Sequence, residues 1–215
     1  MKATIIPIFP TPIYRETNDN NFLKKFIKLF DQEELSSDKG DWEYGKRSIN
    51  SYILNKPEYQ DLSNQILNSV KEYCNIVLSY QYKKYKFSQS WVSVKKPNMH
   101  HIQHTHPWSL VSGVLFYGEG DTNTKPLVFA KRPEIINETL VHIGPDYQDK
   151  HHEYPIFSGT EYSLSFIPNT LILFPSNLIH YVPKNTSNQD RKSLAFNVVP
   201  RDGFGHEENL TQLKF

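Results

Sequence analysis

The sequence contains only one cysteine, Cys74, so the chain lacks both an internal disulfide bond and a cysteine-rich zinc site. Cys74 lies in a segment whose apolar residues have helical spacing, which indicates a buried structural thiol. The sequence also has almost no excess of either charge, because 24 basic and 23 acidic residues give a formal net charge of +1. This balance argues against nucleic acid as a main partner, since phosphate binding needs a basic face.

Long apolar runs are lacking too, and none approaches the ~20 residues that a membrane-spanning helix needs. The N-terminal stretch MKATIIPIFPTPIYRE is interrupted by three prolines and does not resemble a signal peptide. These absences predict a cytoplasmic protein that has no membrane contact. A length of 215 residues predicts a single domain over residues 1–215.

Aromatic residues, by contrast, make up 13% of the chain, and with the β-branched residues they favour strands. The first third differs, because apolar residues recur at helical spacing over residues 20–35 and over residues 57–78. Each of these segments is predicted to form a helix whose apolar stripe covers a sheet face. Before them, TIIPI at the N-terminus is predicted to be a strand.

From residue 86 onward the pattern changes to short runs of β-branched and aromatic residues, separated by proline, glycine and asparagine. At least seven such runs occur: FSQSWVSV, SLVSGVLFY, PLVFA, YSLSFIP, TLILFPS, HYVPK and SLAFNVVP. They predict a mainly β fold, with supporting helices at about residues 20–80 and a jelly-roll core at about residues 86–200. Residues 131–160, which contain three histidines, are predicted to form a long loop of the kind that often acts as a lid.

The segment HHIQHTHPWSLVSGV, residues 100–114, holds four of the nine histidines within seven positions. On a strand, residues i and i+2 share a face about 6.6 Å apart, so His104 and His106 can converge on one metal ion. His100 has the same parity but lies about 20 Å from His106 on an extended strand, and His101 is expected on the opposite face. The alternative is an ordinary pair of histidines at a strand end.

Two later segments supply further polar residues to the same predicted core. His180 follows the apolar run LILFP, and a histidine beside a buried strand is either a metal ligand or a structural residue with satisfied hydrogen bonds. Arg191 and Ser193 share a strand face, where a guanidinium and a hydroxyl form a seat for a carboxylate. The alternative for Arg191 is a surface arginine near a strand end.

Four more residues are candidates for the surroundings of such a site. Trp108 is expected to pack or to line a substrate pocket. Asn98 and Gln103 are candidates for hydrogen bonds to the metal ligands or to a cosubstrate. Asn197 has the same strand parity as Arg191 and can satisfy a buried polar neighbour. The sequence contains neither a glycine-rich phosphate loop nor a Gly-x-Ser-x-Gly elbow, so it gives no support for a nucleotide site or a serine hydrolase.

Several of these segments together resemble the 2-oxoglutarate- and iron(II)-dependent oxygenase family that is found widely in phages and marine bacteria. HTHPWSLVSGVLFY resembles the family's His-x-His-Pro stretch with its following Ser-Gly-Val. LILFPSNLIHYVPKN and RKSLAFNV are similar to its distal-histidine and Arg-x-Ser segments. FPTPIYR and SWVSV add weaker similarity, so the resemblance covers about residues 7–199.

The resemblance implies a double-stranded β-helix, also called a jelly roll and similar to the cupins, with supporting helices. It implies the cofactor iron(II), the cosubstrate 2-oxoglutarate and dioxygen. Carried over by position, His104 and His180 are metal ligands, while Arg191 and Ser193 bind the far carboxylate of 2-oxoglutarate. His106 stands where the wider superfamily has a carboxylate, and three-histidine coordination is favoured. If His106 turned away instead, water or a halide would take its position, and a halide would permit halogenation.

The resemblance predicts a dioxygenase that hydroxylates an unknown small molecule or peptide and releases succinate and CO2. The family's tyrosines after Ser-Gly-Val are replaced here by Leu115 and Phe116. One rival hypothesis is a cupin-like three-histidine metalloprotein that does not use 2-oxoglutarate. Another is a non-enzymatic jelly-roll phage protein with structural histidines. A phage-encoded chain would act in the host cytoplasm, and an exposed sheet edge is a possible homodimer contact.

Overall fold

The computed structural model describes the following residues: 10–36, 45–80, 82, 84–120, 124, 127–131, 161–205 and 207–214. The predicted N-terminal strand TIIPI lies outside them. So do residues 132–160 of the predicted loop, with its three histidines.

Ten strands within the described residues form two antiparallel sheets. They are β1 (Tyr14–Thr17), β2 (Lys46–Arg47), β3 (Tyr85–Lys95), β4 (His101–His104), β5 (Val111–Tyr117), β6 (Leu127–Ala130), β7 (Glu161–Leu164), β8 (Thr170–Pro175), β9 (Ile179–Val182) and β10 (Arg191–Pro200). The larger sheet has the order β1-β8-β5-β10-β3-β2, and the smaller sheet has the order β4-β9-β6-β7. The seven predicted runs all contain strands.

The larger sheet has a separate hydrophobic layer on each of its faces. Every residue of the central strand β5 is buried, as expected for a strand that is covered on both sides. Leu115 and Tyr117 pack in the layer that contains the helices, whereas Val114 and Phe116 pack in the layer that faces the smaller sheet. The two sheets therefore lie face to face, which is the double-stranded β-helix that the sequence predicts.

Two helices cover the outer face of the larger sheet. The first, α1 (Asn20–Phe30), is capped at its N-terminus by Asp19, whose carboxylate accepts a hydrogen bond from the backbone N–H of Asn21. The second, α2 (Gln60–Glu72), continues as one π-helical turn that contains the fully buried Cys74, so the prediction of a buried thiol is confirmed. In the part of the chain described, every helix is too short or too polar to cross a bilayer.

The larger sheet takes two strands from outside the predicted range of 86–200. The edge strand β1 has the sequence YRET, in which two half-buried residues alternate with two exposed ones, and it pairs with β8 along its whole length. The strand β2 is only two residues long and pairs with β3. Neither has an apolar run of its own, because an edge strand is specified by its pairing partner as much as by its own sequence.

Candidate active site

Three imidazoles converge in a pocket that is lined by both sheets. His104 ends β4 and lies directly opposite His180 of β9, with ring centroids 4.2 Å apart. The His106 ring lies 4.9 Å from the His104 ring and 5.0 Å from the His180 ring. One nitrogen from each ring lies within 4.8 Å of the others. An ion bound by all three would draw these nitrogens closer together, to the usual distance of about 2.0–2.1 Å from the metal.

Backbone carbonyls fix the orientation of two of these rings. The Nδ1 atom of His104 lies 2.8 Å from the carbonyl oxygen of Ile102, and Nδ1 of His180 lies 2.9 Å from that of Leu178. A carbonyl can only accept a hydrogen bond, so we assign the proton to Nδ1 in both histidines. The Nε2 atom of each ring then keeps its lone pair, which is the arrangement typical of metal-binding histidines.

Burial favours the neutral form of all three imidazoles. Burial, together with the neighbouring imidazoles, lowers the pKa of His180 to about 3 and that of His106 to about 4. Burial also lowers the pKa of His104. Metal ions bind the neutral form of imidazole, so no proton has to leave these rings at neutral pH before an ion binds.

The sequence predicts that His106 reaches the site because it shares a strand face with His104. In the structure His106 reaches the site for a different reason. The strand β4 ends at His104, so His106 lies two residues beyond it. Its backbone N–H donates to the carbonyl of Ser176, 2.9 Å away in the segment between β8 and β9. This contact holds the chain so that the His106 ring turns toward the other two.

The expectation that His101 faces away from the site is wrong. The pairing of β4 with β9 shifts in register between His101 and His104, and this irregularity places both rings on one side. The two Nδ1 atoms lie 3.1 Å apart, and the ring centroids lie 4.2 Å apart. Because Nδ1 of His104 carries the proton, Nδ1 of His101 is the acceptor, so His101 supports the orientation of His104.

The same pocket has a cationic side, built from β3 and β10. Arg191 is only 2% exposed, so the alternative of a surface arginine is wrong. Its Nη1 atom donates to Oγ of Ser193 at 3.5 Å, and its guanidinium lies 5.1 Å from the centre of the Phe116 ring. Directly opposite on β3 lie Lys95, the partner of Arg191, and Ser93, the partner of Ser193.

The sequence analysis did not identify Lys95. The signal was available, because Trp91, Ser93 and Lys95 have the same strand parity in the run SWVSVK, and all three line the pocket. Lys95 is 4% exposed, and burial together with the charge of Arg191 lowers its pKa to about 7. None of the described residues that line the pocket is acidic.

The remaining candidates lie at different distances from the pocket. Trp108 is 88% exposed and belongs neither to the core nor to the pocket lining, because it sits at a tight turn with φ of 62°. Asn98 and Gln103 are exposed and are not brought to the pocket. Asn197 is buried, and its Oδ1 atom accepts a hydrogen bond from Ser112 at 2.8 Å.

The sequence matches the family described as "Putative 2OG-Fe(II) oxygenase" over residues 89–197, just over half of the chain. The chain belongs to this family. The matched range includes the three converging histidines as well as Arg191 and Ser193. Oxygenases of this family use iron(II), 2-oxoglutarate and dioxygen.

Several solved structures have the same fold. HygX from Streptomyces hygroscopicus, with nickel, 2-oxoglutarate and hygromycin B bound, has a TM-score of 0.62 and 12% identity over 90% of this chain and 84% of its own. A Pseudomonas putida prolyl-4-hydroxylase has a TM-score of 0.56 and 14% identity over 87% of this chain and 92% of its own. The epimerase SnoN from nogalamycin biosynthesis has a TM-score of 0.64 and 8% identity, over 89% and 80%. The search among curated proteins gave no significant sequence match.

The residues of the pocket fit the groups that the oxygenase family uses. Three imidazoles offer nitrogen atoms on one side, and the buried side chains of Lys95 and Arg191 lie on the other. 2-Oxoglutarate has two carboxylates, one beside the 2-oxo group that chelates a metal and one at the far end of the molecule. A pocket with a metal site at one end and cations at the other has the charge pattern that this dianion requires.

Proposed function

We propose that this chain is an iron(II)- and 2-oxoglutarate-dependent dioxygenase that hydroxylates its substrate and releases succinate and CO2. One observation carries the proposal: a single pocket joins three converging imidazoles to a buried arginine with a hydroxyl beside it. Family membership and the shared fold support the same conclusion.

In this proposal His104, His106 and His180 hold the iron(II) ion. The backbone hydrogen bonds of His104 and His180 present Nε2 of each ring to the ion. The inward orientation of His106 supports three-histidine coordination over the alternative in which a halide takes its position. A neutral ligand set leaves the charge of the ion to be balanced by the bound 2-oxoglutarate.

Arg191 and Ser193 bind the far carboxylate of 2-oxoglutarate and so orient the cosubstrate toward the histidines. The Phe116 ring packs against the guanidinium and keeps water away from it, which strengthens the interaction with a carboxylate. Iron(II), 2-oxoglutarate and dioxygen supply the oxidising power for hydroxylation, whereas the protein supplies their placement.

The substrate we propose is a small molecule or a peptide side chain. HygX binds hygromycin B and another protein of this fold is a prolyl-4-hydroxylase, so the fold accommodates both kinds. We further propose that residues 1–215 form one oxygenase domain that acts in the cytoplasm, or in the host cytoplasm if the gene comes from a phage. We propose neither nucleic acid nor a membrane as a partner of this chain.

Replacing Arg191 with alanine tests this function against the cupin-like alternative. The wild type, purified without oxygen and loaded with iron(II), should convert 2-oxoglutarate slowly to succinate once air is admitted, as measured by NMR. Arg191→Ala should reduce the rate by about 100-fold or more, because the far carboxylate loses a charge-assisted bidentate partner.

Arg201→Ala is the matched control, since Arg201 is exposed and lies just beyond the end of β10. It should keep the wild-type rate. A metal-dependent activity that survives in Arg191→Ala would favour the cupin-like protein that does not use 2-oxoglutarate.

A further inference from the structure

Two buried cations lie side by side in the pocket, and the proposed function uses only one of them. Lys95 and Arg191 are directly opposed residues of the antiparallel strands β3 and β10. Their side chains point to the same face, and directly opposed Cβ atoms lie about 4.5–5.5 Å apart. They are 4% and 2% exposed, so solvent screens their repulsion poorly. Opposed like charges of this kind destabilise a sheet.

Within the described residues, no carboxylate neutralises Lys95. Its Nζ atom donates a hydrogen bond of 3.0 Å to Oγ of Ser93, which is a neutral partner. It makes no ion pair in the part of the chain that the structure describes. Burying an unpaired ammonium is costly, so an anion that enters the pocket and approaches Lys95 would stabilise its charged form.

The two strands also present matching hydroxyl groups. Ser193 lies opposite Ser93, and each serine is two residues along its strand from the cation of that strand. Each cation is close to the hydroxyl of its own strand: Arg191 to Ser193 and Lys95 to Ser93. A carboxylate offers two oxygens with about four acceptor sites, which matches donors arriving from two sides. The Phe116 ring covers the guanidinium and offers no polar donor of its own.

We propose that Lys95 and Ser93 form the second half of the seat for the far carboxylate of 2-oxoglutarate, opposite Arg191 and Ser193. The carboxylate then lies between two buried cations and relieves their mutual repulsion. This inference rests on the proposed function and deepens it, because it makes Lys95 a residue that selects a dicarboxylic 2-oxo acid over a monocarboxylic one.

Calorimetry on the nickel(II)-loaded protein tests the inference by binding alone, without turnover. The two probes are 2-oxoglutarate and 2-oxovalerate, which has the same carbon chain but lacks the far carboxylate. The variants are Lys95→Met and Ser93→Ala, and the control is Lys96→Met, which removes a neighbouring exposed lysine. Circular dichroism and thermal melting establish that each variant is folded.

Lys95→Met should weaken 2-oxoglutarate binding by about 10- to 100-fold, since it removes a charge-assisted hydrogen bond, and should leave 2-oxovalerate binding within about twofold. Ser93→Ala should weaken 2-oxoglutarate alone by about threefold or more, and Lys96→Met should change neither ligand. If Lys95→Met does not fold, the conservative variant Ser93→Ala decides the question on its own.

Equal weakening of both ligands would show that Lys95 has a structural role only, and unchanged 2-oxoglutarate binding would place it outside the seat. Either result overturns the inference while the proposed function stands. A wild type that binds no 2-oxoglutarate contradicts the proposed function itself, and the inference fails with it.

Discussion

His104 receives its orientation from two neighbours on its own strand. Its Nδ1–H points at the carbonyl of Ile102 and also lies 3.1 Å from the acceptor nitrogen of His101. A group that orients a metal-binding histidine usually contributes about 10- to 100-fold to metal affinity. His101 is therefore a positioning residue for the proposed metal site.

His101→Ala should lower the affinity for nickel(II) by about 10-fold, and His104→Ala should lower it much further, because it removes a ligand outright. Competition with a chelator of known affinity measures both. His100→Ala is the control from the same segment and should stay within twofold of the wild type. A loss in His101→Ala as large as that in His104→Ala would mean that His101 is itself a ligand.

Lys95 links the stability of the metal-free protein to pH. Its folded-state pKa of about 7 lies below the value of 10.5 expected in the unfolded chain, and the causes are burial and the charge of Arg191. Between these two values the unfolded state binds more protons, so the free energy of unfolding should rise with pH. From pH 7 to 9 the rise due to Lys95 should be about 1 kcal/mol per pH unit.

Urea denaturation of the wild type and of Lys95→Met at several pH values measures this effect. The difference between the two proteins isolates Lys95 from other groups, including Cys74, whose pKa burial raises from 9.0 to about 11 in the folded protein. Lys95→Met should lack the rise. Parallel stability profiles would show that Lys95 keeps an ordinary pKa in the folded protein.

At the residue scale, the sequence predicted His104, His106, His180, Arg191 and Ser193, and the structure brings all five to one pocket. Their metal- and cosubstrate-binding roles stay predictions. His101 was placed on the wrong face because parity assumes regular strand pairing, and a register shift is not visible in a single sequence. Lys95 was not predicted to line the pocket, although the sequence shows that it shares strand parity with Trp91 and Ser93. The reason is that a lysine at a strand end is ordinarily exposed.

At the scale of the elements, the close packing of β5 against its neighbouring strands depends on Gly113, which has no side chain. A Cβ atom at Gly113 would overlap the ring of Phe196 and would come within 2.8 Å of the Leu173 side chain. Gly113 forms part of the Ser-Gly-Val motif between the two hydrophobic layers, so its role there is to admit the ring of Phe196 from the neighbouring strand.

Gly113→Ala should lower the free energy of unfolding by about 1–3 kcal/mol, because an added methyl group overpacks the core. Urea denaturation measures the loss. Phe196→Leu in the Gly113→Ala background should recover part of it by removing the ring that the methyl group meets. If Gly113→Ala is as stable as the wild type, the close approach of the two strands does not require glycine.

The elements that the sequence predicted best are those with long apolar runs. The strands β5, β8 and β10 each have nearly every residue buried, and their runs were evident. The short strands β1 and β2 were missed, since their stability comes from pairing with β8 and β3 rather than from their own composition. The run from 20 to 35 formed a helix only as far as Phe30.

For the whole molecule, the architecture explains why the site lies where it does. The larger sheet carries helices on its outer face, so its inner face is free to oppose the smaller sheet across a second apolar layer. The histidines come from the smaller sheet and the segment beside it, whereas the cations come from the larger sheet. The proposed site needs both sheets, and each half combines residues from 95–106 with residues from 180–193, so the site forms only in the folded protein.

The central claim is that metal and 2-oxoglutarate bind together in this pocket. An anaerobic titration of 2-oxoglutarate into the iron(II)-loaded protein tests it most directly, because a 2-oxo acid that chelates iron(II) gives a visible charge-transfer absorption. The account predicts an absorption that saturates at one 2-oxoglutarate per chain, needs a much higher concentration in Arg191→Ala and is absent in His180→Ala. A wild type whose absorption and melting temperature both stay unchanged during the titration would contradict it.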